Sequence, residues 1–101
     1  QATTDDGCTP LYIACEDGHA PVVELLLAAS EIVVNQATTD AGLTPLFVAC
    51  AHGHVEIVRL LLQQPNIDFS KKNNRNDSPL DLARRSCHTE IVQLLVDAGA
   101  Q

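Results

Sequence analysis

The chain repeats itself. Laid over residues 36–70 without gaps, residues 1–35 agree at 18 of 35 positions. The pentapeptide QATTD stands at 1–5 and again at 36–40. Gly7 falls on Gly42, Thr9-Pro10-Leu11 on Thr44-Pro45-Leu46, Ala14-Cys15 on Ala49-Cys50, Gly18-His19 on Gly53-His54, and Leu25-Leu26-Leu27 on Leu60-Leu61-Leu62. A more divergent third copy follows after 34 residues, from Ser78-Pro79-Leu80. A period of this length points to supersecondary units that cannot bury a core alone and must stack. Units of about 35 residues are too small to fold singly, and three are about the minimum for a shared core. The chain is therefore expected to be one domain, 1–101, with repeats at about 1–35, 36–70 and 71–101. Its 46% apolar residues include only three aromatic ones, so Leu, Val, Ile and Ala must build the core.

Each copy carries helix punctuation. In the second, Thr44 is placed to cap a helix that Pro45 opens, where a missing N–H costs nothing. That helix runs through Leu46, Phe47, Val48, Ala49 and Cys50 and should stop near His52-Gly53, where Gly permits a left-handed turn. A second helix is expected over about 55–63, apolar nearly all round through Val55, Ile57, Val58, Leu60, Leu61 and Leu62, as suits a helix covered on more than one side. Pro65 should stop it, and an extended loop over 66–74 follows. Copy one uses Thr9-Pro10, Gly18 and Pro21 in the same way. Copy three uses Ser78-Pro79 and ends with Gly99 as a C-terminal cap.

The segments TPLYIACEDGH, TPLFVACAHGHVEIVRLLL and SPLDLARRSCHTEIVQLLVDAGA resemble ankyrin repeats over essentially the whole chain, three times in register. The resemblance implies an all-α solenoid of stacked helix–turn–helix units with β-hairpin-like finger loops projecting at about a right angle. It also implies a concave face that binds other proteins, and no intrinsic catalysis. The chain departs from the family pattern at several points. Tyr12, Phe47 and Asp81 stand where the family has a His that ties neighbouring repeats. Cys87 replaces the Gly between helices, Asn76 replaces the finger Gly, and Arg84 stands where Cys15 and Cys50 sit. An outward-facing Arg84 would suit the solvent-facing side of a terminal repeat. The N-terminal end shows no comparable polar cap, which leaves self-association of an otherwise monomeric chain open. Together with the missing initial Met, it makes a processed or excised piece the expectation.

A net charge of −7 and a pI near 4.7 argue against a nucleic-acid partner, since phosphate binding is driven by Lys and Arg, and mildly favour a basic protein partner. Cys15 and Cys50 lie in apolar stretches, and nothing pairs Cys8, Cys15, Cys50 or Cys87 locally, so a cytoplasmic or other reducing compartment is expected. No apolar run approaches the ~20 residues of a membrane span, so no membrane partner is expected.

His19, His54 and His88, with Cys87, raise the question of a metal. Equivalent residues on stacked helices stand about 10 Å apart, whereas zinc ligands must lie about 2.0–2.3 Å from one ion. Roles in the inter-helix turns are expected instead, with no metal and no cofactor. Cys8 or Cys87 with His88 supplies no oriented base or oxyanion donors, so no catalytic residue is assigned. Asn35, after Val34 and eight residues past Leu27, resembles the site that an asparaginyl hydroxylase modifies in ankyrin domains. The preferred reading is that its side chain ties the finger to backbone groups.

Binding is expected where the copies differ while the framework stays. Carried onto matching positions, the family's concave face takes Asp5, Asp6, Cys8, Tyr12, Glu16 and Asp17 from copy one. Copy two offers Asp40, Ala41, Leu43, Phe47, Ala51 and His52. Copy three offers Asn74, Arg75, Asp77, Asp81, Arg85 and Ser86. These grade from acidic to apolar to mixed polar. Phe47 is expected as an exposed aromatic anchor ringed by polar groups, the usual form of a binding hot spot. The expected function is non-catalytic protein binding. The alternative is a framework segment of a longer array, or an engineered scaffold, with no partner of its own.

Overall fold

A computed structural model describes residues 9–29, 34–35, 37–38, 42–64 and 66–99. Six helices lie in three pairs: α1 (Pro10–Asp17) with α2 (Ala20–Leu27), α3 (Pro45–His52) with α4 (Val55–Leu62), and α5 (Pro79–Arg85) with α6 (Thr89–Ala98). The first helix of each pair packs on the first helix of the next, α1 on α3 on α5. The second helices do the same, α2 on α4 on α6. The result is the two-layered, all-α stack that the resemblance implies, with no β-strand among the described residues.

The caps are formed as the punctuation requires. Thr9, Thr44 and Ser78 each accept at the side-chain oxygen from the backbone N–H three residues on, at Tyr12, Phe47 and Asp81, each at 3.1 Å. Asp81 completes a capping box, its Oδ2 accepting from the Ser78 N–H at 3.0 Å. Helix α4 ends at Leu62 with Gln63 as its cap, while Pro65 lies outside the described residues. Gly18 and Gly53 are left-handed, as expected, and the residues replacing glycine in copy three adopt the same conformation, Asn76 at φ 67 and Cys87 at φ 61. The backbone was therefore held while the residue changed.

The core follows the repeat. Leu11, Leu46 and Leu80 are fully buried or nearly so, as are Ala14, Ala49 and Ala83 one turn further on. Leu61 and Leu95 fill the same place in α4 and α6. Each such leucine contributes about 1.5–3 kcal/mol by leaving water. Small Ala residues at the crossing points let the first-layer helices approach closely. Cys15 and Cys50 are buried where their copies meet the next copy, whereas Arg84 at the equivalent place in copy three is exposed. The inter-repeat seam gains polar ties in addition. Asn35 Nδ2 donates to the Asn66 carbonyl at 2.7 Å, and Asn35 Oδ1 accepts from the Asp68 N–H at 2.8 Å. The side chain does tie backbone, as read from the sequence, but it reaches across to the next copy's loop rather than folding back on its own. Arg59 on α4 pairs with Glu90 on α6 at 2.8 Å on the exposed side of the second layer.

The 34-residue offset of copy three arises in the finger. In copy two, Thr38 and Leu43 close the finger: the Thr38 N–H donates to the Leu43 carbonyl at 2.9 Å, and the Leu43 N–H donates to Thr38 Oγ1 at 3.1 Å. In copy three, Asn73 and Asp77 do so across one residue fewer, with the Asn73 N–H on the Asp77 carbonyl and the Asp77 N–H on Asn73 Oδ1, both at 2.9 Å.

Candidate functional site

A groove of about 430 Å³ lies between the edge of the first helix layer and the third finger. Leu43, from the second finger, and Phe47 on α3 form one side. Leu82 and Arg85 on α5 form another, and Asn73, Asn74, Arg75 and Asp77 of the third finger complete it. Local structure explains each placement. The capped start of α3 sets Phe47 three residues in, facing the groove. The short third finger holds Asp77 over α5, where Arg85 donates from its guanidinium to Asp77 Oδ1 at 2.9 Å. Asn73 Oδ1 also accepts from the Arg75 N–H at 2.9 Å, which shapes the finger tip around the groove mouth.

Of the residues expected at a binding face, Leu43, Phe47, Asn74, Arg75, Asp77 and Arg85 come together here. Leu82 also lines the groove and was not anticipated. It stands one turn into α5, where copy two has Val48.

Two expectations about exposure are corrected. Phe47 is only 4% exposed and is the floor of the groove, not a protruding anchor. Tyr12 is 7% exposed and belongs to the hydrophobic core. On α1 and α3 the side chain three residues past the cap is covered by the packed first-layer helices. Asp81 is half-buried, and its carboxylate is engaged by the Ser78 N–H. Glu16, Asp17 and His52 are exposed, away from the groove lining. Asp5, Asp6, Cys8, Asp40 and Ala41 lie outside the described residues.

The histidines are used in the turns. The backbone N–H groups of His19, His54 and His88 donate to the carbonyls of Ala14, Ala49 and Ala83 at 2.9–3.0 Å, closing each turn between paired helices. The ring of His54 also reaches back to copy one, with Nε2 3.1 Å from the Glu16 carbonyl oxygen, and stacks with His52 at 5.8 Å between centroids. Among the described residues, no three His, Cys, Asp or Glu side chains converge as a metal site would require. No described helix is long and apolar enough to cross a membrane.

The family model described as "Ankyrin repeats (3 copies)" matches residues 1–73 and again residues 31–101. The chain belongs to the ankyrin-repeat family. Such repeats are generally protein–protein interaction modules and typically non-enzymatic. No curated protein matches the chain.

Proposed function

We propose that this chain binds a partner protein through the groove between α3, α5 and the third finger. The observation that carries this reading is the groove's make-up. Three apolar side chains, Leu43, Phe47 and Leu82, lie at the bottom of a concavity whose mouth carries Arg75, Arg85 and Asp77. An apolar centre with a polar, charged rim is how protein-binding sites concentrate affinity at a few contacts. The pre-formed finger adds to this, because little ordering entropy must be lost on binding. The expectation of a basic partner rests on the net charge of −7 and on the acidic residues of copy one. Among the described residues that line the groove, the charge without an ion pair is the positive one of Arg75.

A second reading is favoured by a separate observation at the other end of the stack. Ile13, Val22 and Leu25 are 38%, 44% and 75% exposed. Their equivalents Val48 and Ile57 in copy two are buried under copy one, and Leu60 is half-buried. This face is built to be covered by a helix pair, which supports a framework role or self-association through that end.

Leu43→Ser and Leu25→Ser variants, each checked for native circular dichroism, separate the two readings. A binding protein retained by the wild type and by Leu25→Ser, but lost by Leu43→Ser, supports the groove. Retention by Leu43→Ser with loss in Leu25→Ser, or a drop in sedimentation coefficient only in Leu25→Ser, supports the N-terminal face instead.

A further inference from the structure

The groove's charge says what kind of partner segment it fits, an inference that rests on the binding role proposed above. We propose that the groove takes an apolar side chain, of the Leu or Phe kind, from an extended segment of a partner protein, with an Asp or Glu of that segment pairing with Arg75.

Charge is distributed unevenly in this acidic chain. Five of its six Lys and Arg residues, Lys71, Lys72, Arg75, Arg84 and Arg85, fall within residues 71–85, against two of its thirteen Asp and Glu residues. Those two acids are already engaged. Asp77 is ion-paired with Arg85 at 2.9 Å, and the Asp81 carboxylate accepts from the Ser78 N–H at 3.0 Å. Arg75 differs. Its backbone N–H is held by Asn73 Oδ1, its side chain is exposed at the groove lining, and among the described residues it forms no ion pair. The finger therefore fixes the backbone of a cation whose guanidinium has no ion-pair partner among the described residues, beside an apolar floor.

A guanidinium in this position offers a bidentate match to a carboxylate. The groove volume, about 430 Å³, sits at the lower end of the range for small-molecule and side-chain pockets. It accommodates one large apolar side chain with adjoining backbone rather than a folded element. A basic segment would be repelled by Arg75 and would have to compete with Arg85 for Asp77. A nucleic-acid strand would meet an apolar floor and the acidic remainder of the chain, so a protein segment is the better fit.

The test is selection of nonapeptides on the immobilised 101-residue chain. The library has Leu or Phe fixed at the centre and all other positions randomised, and fluorescence anisotropy on chosen peptides follows. The expected result is enrichment of Asp or Glu within two positions of the fixed residue. Replacing that residue by Gln should weaken binding about tenfold, Arg75→Glu should do the same, and a Lys-bearing peptide should regain affinity for Arg75→Glu. Arg75 is an exposed loop residue, so its variants fold, and Arg75→Gln serves as a milder second variant. Selection of Lys- or Arg-rich peptides whose binding is lost in Leu43→Ser would overturn the acidic-partner inference while leaving the groove as the binding site. Equal binding of the Glu and Gln peptides, or of peptides with Ala at the centre, would overturn it as well. Peptides that bind Leu43→Ser as well as the wild type would overturn the groove reading itself.

Discussion

The imidazole of His54 lies flat against Gly18 of the preceding copy, so close that a Cβ on Gly18 would stand 2.8 Å from His54 Cε1. The relationship recurs one copy on, where a Cβ on Gly53 would stand 2.9 Å from His88 Cε1. These glycines are therefore needed twice, for a positive φ and for the ring of the next copy. Gly53→Ala is expected to destabilise the fold by roughly 2 kcal/mol, from left-handed strain together with displacement of the His88 ring. Cys87 holds the same turn in copy three, is exposed, and has no fourth-copy histidine within this chain to meet it. Cys87→Gly is expected to change stability in the opposite direction, by about +1 kcal/mol, because the strain is relieved and no ring contact is at stake. Urea unfolding of the two variants checks both signs.

Asn35 joins copy one to the loop of copy two through two hydrogen bonds made by one amide, with the carbonyl end on the Asp68 N–H and the amino end on the Asn66 carbonyl. Asn35→Asp should keep the first bond and turn the second into a repulsive contact between two acceptors. It is expected to cost about as much as Asn35→Ala, roughly 1–2 kcal/mol. Hydrogen exchange at the Asp68 amide distinguishes the variants: protection should persist in Asn35→Asp and fall in Asn35→Ala.

Burial pushes the thiols of Cys15 and Cys50 up to about 12, so neither forms a thiolate near neutral pH. Cys87 is exposed on its turn. Iodoacetamide treatment of the folded chain followed by peptide mass mapping should label Cys87 and leave Cys15 and Cys50 unmodified. All three should react once urea has opened the stack. Rapid labelling of Cys50 in the folded state would contradict the packing of α3 between α1 and α5.

The Asp81 carboxyl is held below its usual range, chiefly by the backbone N–H of Ser78. Burial opposes this, and the Ser78 side chain, Lys72 and Arg85 each add a smaller lowering effect. A group depressed in the folded state binds fewer protons there than in the unfolded chain, whose Asp titrates near ~3.9. Its contribution to stability is therefore present above that value and is lost as pH falls through the lower folded value. The stability difference between wild type and Asp81→Asn, taken from urea unfolding, should be largest above pH 5 and should shrink toward pH 3. A difference that stays constant over that range would mean that the capping box adds no ionisation-linked stability.

The sequence by itself determined the units and their number. A 35-residue identity, a Thr-Pro or Ser-Pro start in every copy, and Gly-His between helices are local signals. Local signals suffice because caps and left-handed turns depend on neighbours within a few residues. They placed the start of each helix and both helices of copy two to within about a residue, and they identified Asn35 as a side chain that ties backbone. The tertiary structure decided what faces what. Phe47 and Tyr12 look like exposed aromatic positions in a linear reading, yet both are buried, because the burial of a first-layer helix is set by the helices packed against it. Leu82 joined the groove where the third finger meets α5, whereas Asp81 is spent on its own helix cap, a local Ser-x-x-Asp arrangement. The same holds at the N-terminal face. Ile13, Val22 and Leu25 read as core residues by equivalence with copy two, and they are exposed because burial in a stack belongs to the interface between copies and not to the residue.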